Sequence, residues 1–292
     1  MAVTTVIDGL DHPEGVAWGP DGHLYAGGEA GQIYRIDVEA GSVEQFATTG
    51  GFVLGLALDR DNNVYACDSA RRMVVRITPE GAVSEYSSGS PGRPMQTPNY
   101  PVFDRHGNLY VSDSGTWPEG GGCVFRVSPE GKTEVWSAEV SRFANGLALS
   151  PDGDALYVVE STLPGVSRIL INEDGSAGPV QPVVELPVTV PDGIAFDAEG
   201  RLFISCYRPD RIYTLEPDGQ LQVLAEDPLG TQLAAPTNVA FGREDLSTLF
   251  VASLGRWHIS QIPMAVPGAP LNYPHLQGAT QPHRRAAFID RS

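Results

Sequence analysis

Basic residues are scarce in this chain. Lys and Arg number 19 against 36 Asp and Glu, for a formal charge of −17 at pH 7. A field of that sign repels phosphate backbones and anionic lipid, so neither nucleic acid nor a membrane is an expected partner. Long apolar runs are missing too: none approaches the ~20 residues of a membrane span. The opening "MAVTTVIDGLDHPEG" has no basic n-region and no apolar h-region, so no signal peptide is expected. Cysteine is limited to Cys67, Cys123 and Cys206, an odd and sparse set that makes no disulfide framework. No C-x-x-C or Cys/His cluster marks a zinc site. These absences fit a cytoplasmic protein with reduced thiols. Helical periodicity of useful length is also absent.

Repetition is what the sequence has instead. The segments "PEGVAWGPDGHLYAGG", "VLGLALDRDNNVYACD", "PNYPVFDRHGNLYVSD", "ANGLALSPDGDALYVVE", "PDGIAFDAEGRLFISC" and "PTNVAFGREDLSTLFVAS" follow one plan. Each has a short apolar strand, a turn rich in Asp, Gly and Asn, and a second strand with Tyr or Phe near its start. Period-2 alternation around such turns reads as a β-hairpin. Third strands such as "QIYRID" and "RIYTLE" follow, then fourth strands such as "VEQFA" and "LQVLA". Equivalent positions fall at Glu14, Leu54, Asn99, Asn145, Asp192 and Thr237, spaced by 40, 45, 46, 47 and 45 residues. Four-stranded units at that period predict an all-β, six-bladed propeller. The sixth unit lacks a fourth strand, and residues 3–7 are expected to supply it and close the ring. The expected organisation is one domain over residues 1–266, with a Pro- and Gly-rich tail over 267–292 that forms a packed strap or a loose end.

In a propeller the innermost strand of each blade runs along the central channel. The six equivalent residues therefore converge at one mouth of it. Four of them, Glu14, Asn99, Asn145 and Asp192, carry side-chain oxygen suited to a hard divalent cation. Two acids neutralise such an ion, and two carboxamides add ligands without adding repulsion. Calcium heads the candidates, with magnesium, manganese, iron(II) and zinc behind it, although the lack of His and Cys in the ring weighs against zinc. The turn acids Asp21, Asp61, Asp104, Asp152 and Asp197 lie at the opposite end and read as structural.

"PEG" at 13–15, "PNYP" at 98–101, "ANGLALSPDG" at 144–153 and "PDGIAFDAEG" at 191–200 resemble the SMP-30/gluconolactonase/luciferin-regenerating-enzyme (LRE) family over roughly residues 5–265. The resemblance implies a six-bladed propeller with one central divalent metal, and hydrolysis of lactones or, in relatives, organophosphates. It implies metal-binding roles for Glu14, Asn145 and Asp192, and contact of Asn99 with metal or substrate. One stretch departs. Members acting on sugar lactones resemble Arg-x-Asn-Asp-Gly at the third repeat, whereas this chain reads "TPNYP", with Thr97 for the Arg and Tyr100 for the Asp. That Arg helps bind sugar hydroxyls in those relatives, so the departure weighs against a gluconolactone-like substrate and leaves the implied metal set untouched.

These groups suit metal-assisted hydrolysis of a lactone or ester by a monomer or weak homo-oligomer. Asp192 is assigned as general base and Glu14 as an anchor, a choice resting on the resemblance and not on spacing. A phosphotriesterase-like hydrolase and a non-enzymatic metal-binding propeller are the competing readings. Substrate contacts are expected from Asn99, Tyr100, Trp117, Tyr207 and Trp257 in an aromatic-lined pocket, with residues 112–123 as a lid. His12 and His258 lie near the expected mouth without an assigned role in proton transfer. Asp68 and Asp113 are open between a supporting and a purely structural role.

Overall fold

Each repeat folds as a four-stranded antiparallel sheet, and the six sheets form a six-bladed β-propeller. The computed structural model describes residues 2–276. The innermost strands are Val16–Trp18, Val53–Leu58, Pro98–Phe103, Ala144–Leu149, Val190–Phe196 and Pro236–Gly242. Each touches the next, and the sixth touches the first. The N-terminal strand Thr4–Ile7 pairs antiparallel with His258–Pro263 as the outermost strand of the last blade. That pairing covers an edge that would otherwise expose unpaired backbone groups. A further short hairpin, Gly89–Ser90 with Arg93–Pro94, sits in the loop entering the third blade, where the repeat pattern predicts nothing.

Apolar side chains fill the seams between blades. Tyr65, Phe103 and Phe125 are fully buried in one such seam. The Tyr65 and Phe103 rings meet edge-on at 5.0 Å and 89°. Full burial of side chains of this size stabilises by about 1.5–3 kcal/mol each.

At one end of the ring the strand-connecting turns are tied by their own side chains. Asp104 Oδ1 accepts from the backbone of His106 and Asn108 at 2.8 and 2.9 Å, and Asp197 Oδ1 does the same for Glu199 and Arg201. In the second repeat the accepting residue is Asp59 and not Asp61. In the fourth it is Ser150 and not Asp152. The residue that leaves the strand is the one whose oxygen reaches the N–H groups beyond it.

The start of the tail crosses this same end. Pro267 O accepts from Ala198 N, and Ala269 N donates to Phe196 O. Asn272 Nδ2 donates to Phe103 O at 3.0 Å, and the Tyr273 hydroxyl donates to Trp18 O at 2.7 Å. Pro274 O accepts from Arg60 N. Gly268 N donates to Leu246 O, so residues 267–276 tie blades one, two, three, five and six together as a strap. A Cβ on Gly268 would lie 2.3 Å from Phe241 side-chain atoms, so glycine lets the strap lie flat. Residues 277–292 of the tail lie outside the described residues. Above the strap is an apolar central cavity of about 160 Å³, lined by residues such as Val16, Leu56, Leu147 and Ile194 and by Ala269, Leu271 and Tyr273 of the strap.

Candidate metal centre and active site

Glu14, Leu54, Asn99, Asn145, Asp192 and Thr237 all lie at the other end of the innermost strands, and all six are buried. A local irregularity presents five of them, and Glu14 stands just before its strand. Pairing of the innermost strand with its neighbour skips between Val53 and Leu56, Pro98 and Pro101, Ala144 and Leu147, Pro191 and Ile194, and Pro236 and Val239. Each skip contains one of these residues. Such bulges interrupt the ladder and re-aim a side chain. Proline directly precedes Glu14, Asn99, Asp192 and Thr237; it has no N–H for a ladder and is tolerated where pairing is broken.

Glycine then draws the six positions together. A Cβ on Gly15 would lie 2.2 Å from Leu54 O, on Gly55 2.7 Å from Asn99 O, on Gly146 2.5 Å from Asp192 O, and on Gly193 2.8 Å from Thr237 O. Hydroxyls make the two remaining junctions. Ser112 Oγ donates to Asn145 O at 2.6 Å, and Thr237 Oγ1 donates to Glu14 O at 2.7 Å. Asn238, standing where four other blades have glycine, adds a bond from Nδ2 to Glu14 O. The result is a continuous narrow ring of backbone.

Two serines orient the ring amides. Ser114 Oγ donates to Ala144 O at 2.7 Å and accepts from Asn99 Nδ2 at 3.0 Å. Ser161 Oγ donates to Pro191 O at 2.7 Å and accepts from Asn145 Nδ2 at 3.2 Å. A hydroxyl has one proton. With it committed to a carbonyl, each serine can only accept, so each amide must turn its nitrogen to the serine and keep its oxygen free. Asn99 Oδ1 and Asn145 Oδ1 are indeed buried with no hydrogen-bond partner, and so is Asp192 Oδ1.

The charges in the ring oppose one another. Burial pushes the Glu14 carboxyl up to about 7. Burial, then the charge of Glu14, raises Asp192 well above the usual carboxylate range, while the Asn145 amide pulls it down. Buried polar atoms are ordinarily satisfied, and two buried acids favour neutrality unless a positive charge pairs with them. Three unpartnered oxygens beside two mutually repelling carboxylates fit a hard cation by donor type and by charge. Leu54 brings no donor, and the Thr237 hydroxyl is already engaged.

The other expected residues fall in different places. Tyr100 is buried, with its backbone N–H on Ser112 Oγ. Its ring stacks over Gly55 and borders the apolar central cavity. Trp117 and Trp257 are 56% and 48% exposed on loops at the ring end. Trp117 meets Phe143 edge-on at 4.9 Å, and Trp257 lies 4.7 Å from the His12 ring. Tyr207 carries the Arg208 guanidinium over its face at 4.8 Å. His258 is buried, with Nε2 3.0 Å from Gln232 O. His12 Nδ1 lies 2.8 Å from Asp11 and 3.0 Å from Glu29, a partly exposed trio at the rim. Asp113 accepts from the N–H groups of Gln96, Thr97 and Gly115, and Asp68 from those of Phe52 and Arg71. Both acids hold the loops that lead into ring positions. Glu160, which accepts from Arg142 N, does so in the fourth blade and was not singled out from sequence, nor were Ser114 and Ser161. All lie at fixed offsets in the repeat, so aligning second strands as well as first would have found them.

Comparison with known proteins places the chain among relatives of the same fold. The sequence model for the SMP-30/Gluconolactonase/LRE-like region matches residues 29–255, and one for the N-terminal part of strictosidine synthase-like proteins matches residues 2–36. The chain is 31% identical to 6-deoxy-6-sulfogluconolactonase of Pseudomonas putida over 241 residues, 77% of this chain and 76% of that protein. It is 27% identical to pentonolactonase XacC of Haloferax volcanii over 266 residues, 87% and 86% of the two chains. The calcium-binding protein regucalcin of Agrobacterium tumefaciens strain C58 superposes with a TM-score of 0.73 at 17% identity, covering 95% of this chain and 100% of the other. With a family match over well more than half its length, the chain belongs to the SMP-30/gluconolactonase/LRE-like family.

Proposed function

We propose that this protein is a divalent-metal-dependent hydrolase that opens a lactone, with Glu14, Asn99, Asn145 and Asp192 holding the ion. The observation that carries the reading is the set of buried, unpartnered oxygens of Asn99, Asn145 and Asp192 on one ring with the Glu14 carboxylate. The lactonase names of the curated relatives support the substrate class. An all-oxygen donor set favours calcium, as does the calcium-binding regucalcin of the same fold.

When bound, the ion offsets the two carboxylates and polarises the scissile carbonyl. The rest is done by side chains. Asp192 is the general base: its carboxylate takes a proton from the attacking water and returns it to the leaving alkoxide. Asn145, beside it, favours the ionised form of that carboxylate. Glu14 stays an anchor, its backbone carbonyl pinned by Thr237 and Asn238. Asn99, held by Ser114, keeps its Oδ1 open to ion or substrate.

The test is dialysis against EDTA, then assay of ring opening on a lactone panel with a pH indicator while Ca, Mg, Mn, Zn or Fe(II) is restored. Turnover that vanishes and returns with metal supports the reading. Turnover unaffected by chelation rejects the metal centre, and metal-dependent stability with no lactone turnover rejects the lactonase.

A further inference from the structure

The positions two residues before the ring members form a second collar nearer solvent: His12, Phe52, Thr97, Phe143, Val190 and Ala235. Four of the six are apolar. Phe52, Phe143 and Val190 are only partly buried, and none of them joins the six inter-blade cores. His12, Phe143 and Ala235 share a left-handed backbone, φ 42°, 61° and 50°, a turn that recurs at this point of the repeat and that a bulky residue such as Phe143 adopts at a cost. The two polar members are engaged in part, His12 through Nδ1 alone. Thr97 Oγ1 donates to Gly115 O at 2.7 Å, and His12 Nδ1 is shared by Asp11 and Glu29. No amide or guanidinium stands at any of the six positions.

The loops around the collar mix exposed charges such as Arg71, Arg142 and Arg208 with apolar side chains. Among the described residues, the exposed large apolar side chains include Trp117, Leu163, Val188, Leu229 and Trp257, all on loops at this end. The remaining three sit on outer strands or the strap. At Phe52, Phe143, Val190 and Ala235 a polyhydroxylated ring would lose water from hydroxyls without gaining a hydrogen bond from the collar side chains, which is costly. An alkyl or aryl group would gain by the same contact.

The geometry points to a substrate whose scissile lactone or ester carries an apolar substituent, gripped by Phe52, Phe143 and Val190, and not to a sugar lactone. This rests on the hydrolase reading above. The calcium-loaded protein is assayed on γ-butyrolactone, γ-hexanolactone, γ-octanolactone, γ-decanolactone and D-glucono-δ-lactone. The expected result is a kcat/KM that climbs with chain length, by up to about fourfold per methylene, and a climb that flattens in Phe143→Ser. Phe52→Ser serves if the first variant does not fold. A flat dependence, or preference for the gluconolactone, overturns the inference. If no lactone turns over, the hydrolase reading fails by itself. The collar is then read by tryptophan fluorescence titration with a γ-alkyl-γ-lactam series: affinity rising with chain length supports it, and uniform affinity overturns it.

Discussion

Ser161 decides which end of the Asn145 side chain is left open. Its proton goes to Pro191 O in the next blade, so it meets the amide only as an acceptor. Ser161→Ala should strip a partner from both Pro191 O and Asn145 Nδ2. The expected loss is about 1–3 kcal/mol in a urea melt. Calcium affinity by isothermal titration should fall by roughly 10- to 100-fold, as when a partner supporting a ligand is removed. Unchanged affinity would remove Asn145 from the metal centre.

Asp192→Asn tests the base. The substitution keeps size and one oxygen, so the circular dichroism spectrum should not change. Turnover should drop on the order of 100- to 10,000-fold, the usual range for a general base. Near wild-type rates with a full metal complement would assign the base elsewhere.

Removing metal should make stability depend on pH. Burial raises the Glu14 carboxyl from 4.5 to about 7, and raises Asp192 as well. The folded state therefore prefers the neutral acids. In metal-free protein their contribution is fully present below about 4.5 and lost as pH rises through 7, on the order of 3 kcal/mol for Glu14 alone. A cation needs the ionised forms and reverses the preference. The gap in Tm between calcium-loaded and EDTA-treated protein should widen from about pH 5 to pH 8. A constant or shrinking gap contradicts this electrostatic account.

Gly146→Ala would place a methyl group 2.5 Å from Asp192 O. The backbone on either side is packed, so blades four and five must part at the ring. About 1–3 kcal/mol of stability should be lost, and turnover should fall with it because Asn145 and Asp192 separate. A variant with wild-type melting and rate would show that the ring tolerates widening.

Much of this architecture was legible because each repeat states its own local rules. Asp104 and Asp197 cap turns wherever the strand ends, and such caps recur at a readable period. Even Thr4–Ile7 could be placed, since the fourth strand of one unit leads into the ring position of the next. The strap had no such echo. Its bonds from Asn272 to Phe103 and from Tyr273 to Trp18 happen once and depend on distant blades. Tyr100 shows the other limit. Strand alternation does not survive the bulge between Pro98 and Pro101, so its ring rests on Gly55 at the cavity. The collar at Phe52, Phe143 and Val190 escaped notice for a different reason. An apolar residue near a strand looks like core until its exposure is known.

The strap also bears on the traffic of the channel. Ala269, Leu271 and Tyr273 line the central cavity at the far end, so the strap obstructs the channel on the side away from the ring. For a lactonase the visitor arrives neutral and departs as a hydroxy acid anion. A molecule with a net charge of −17 then helps to show it out.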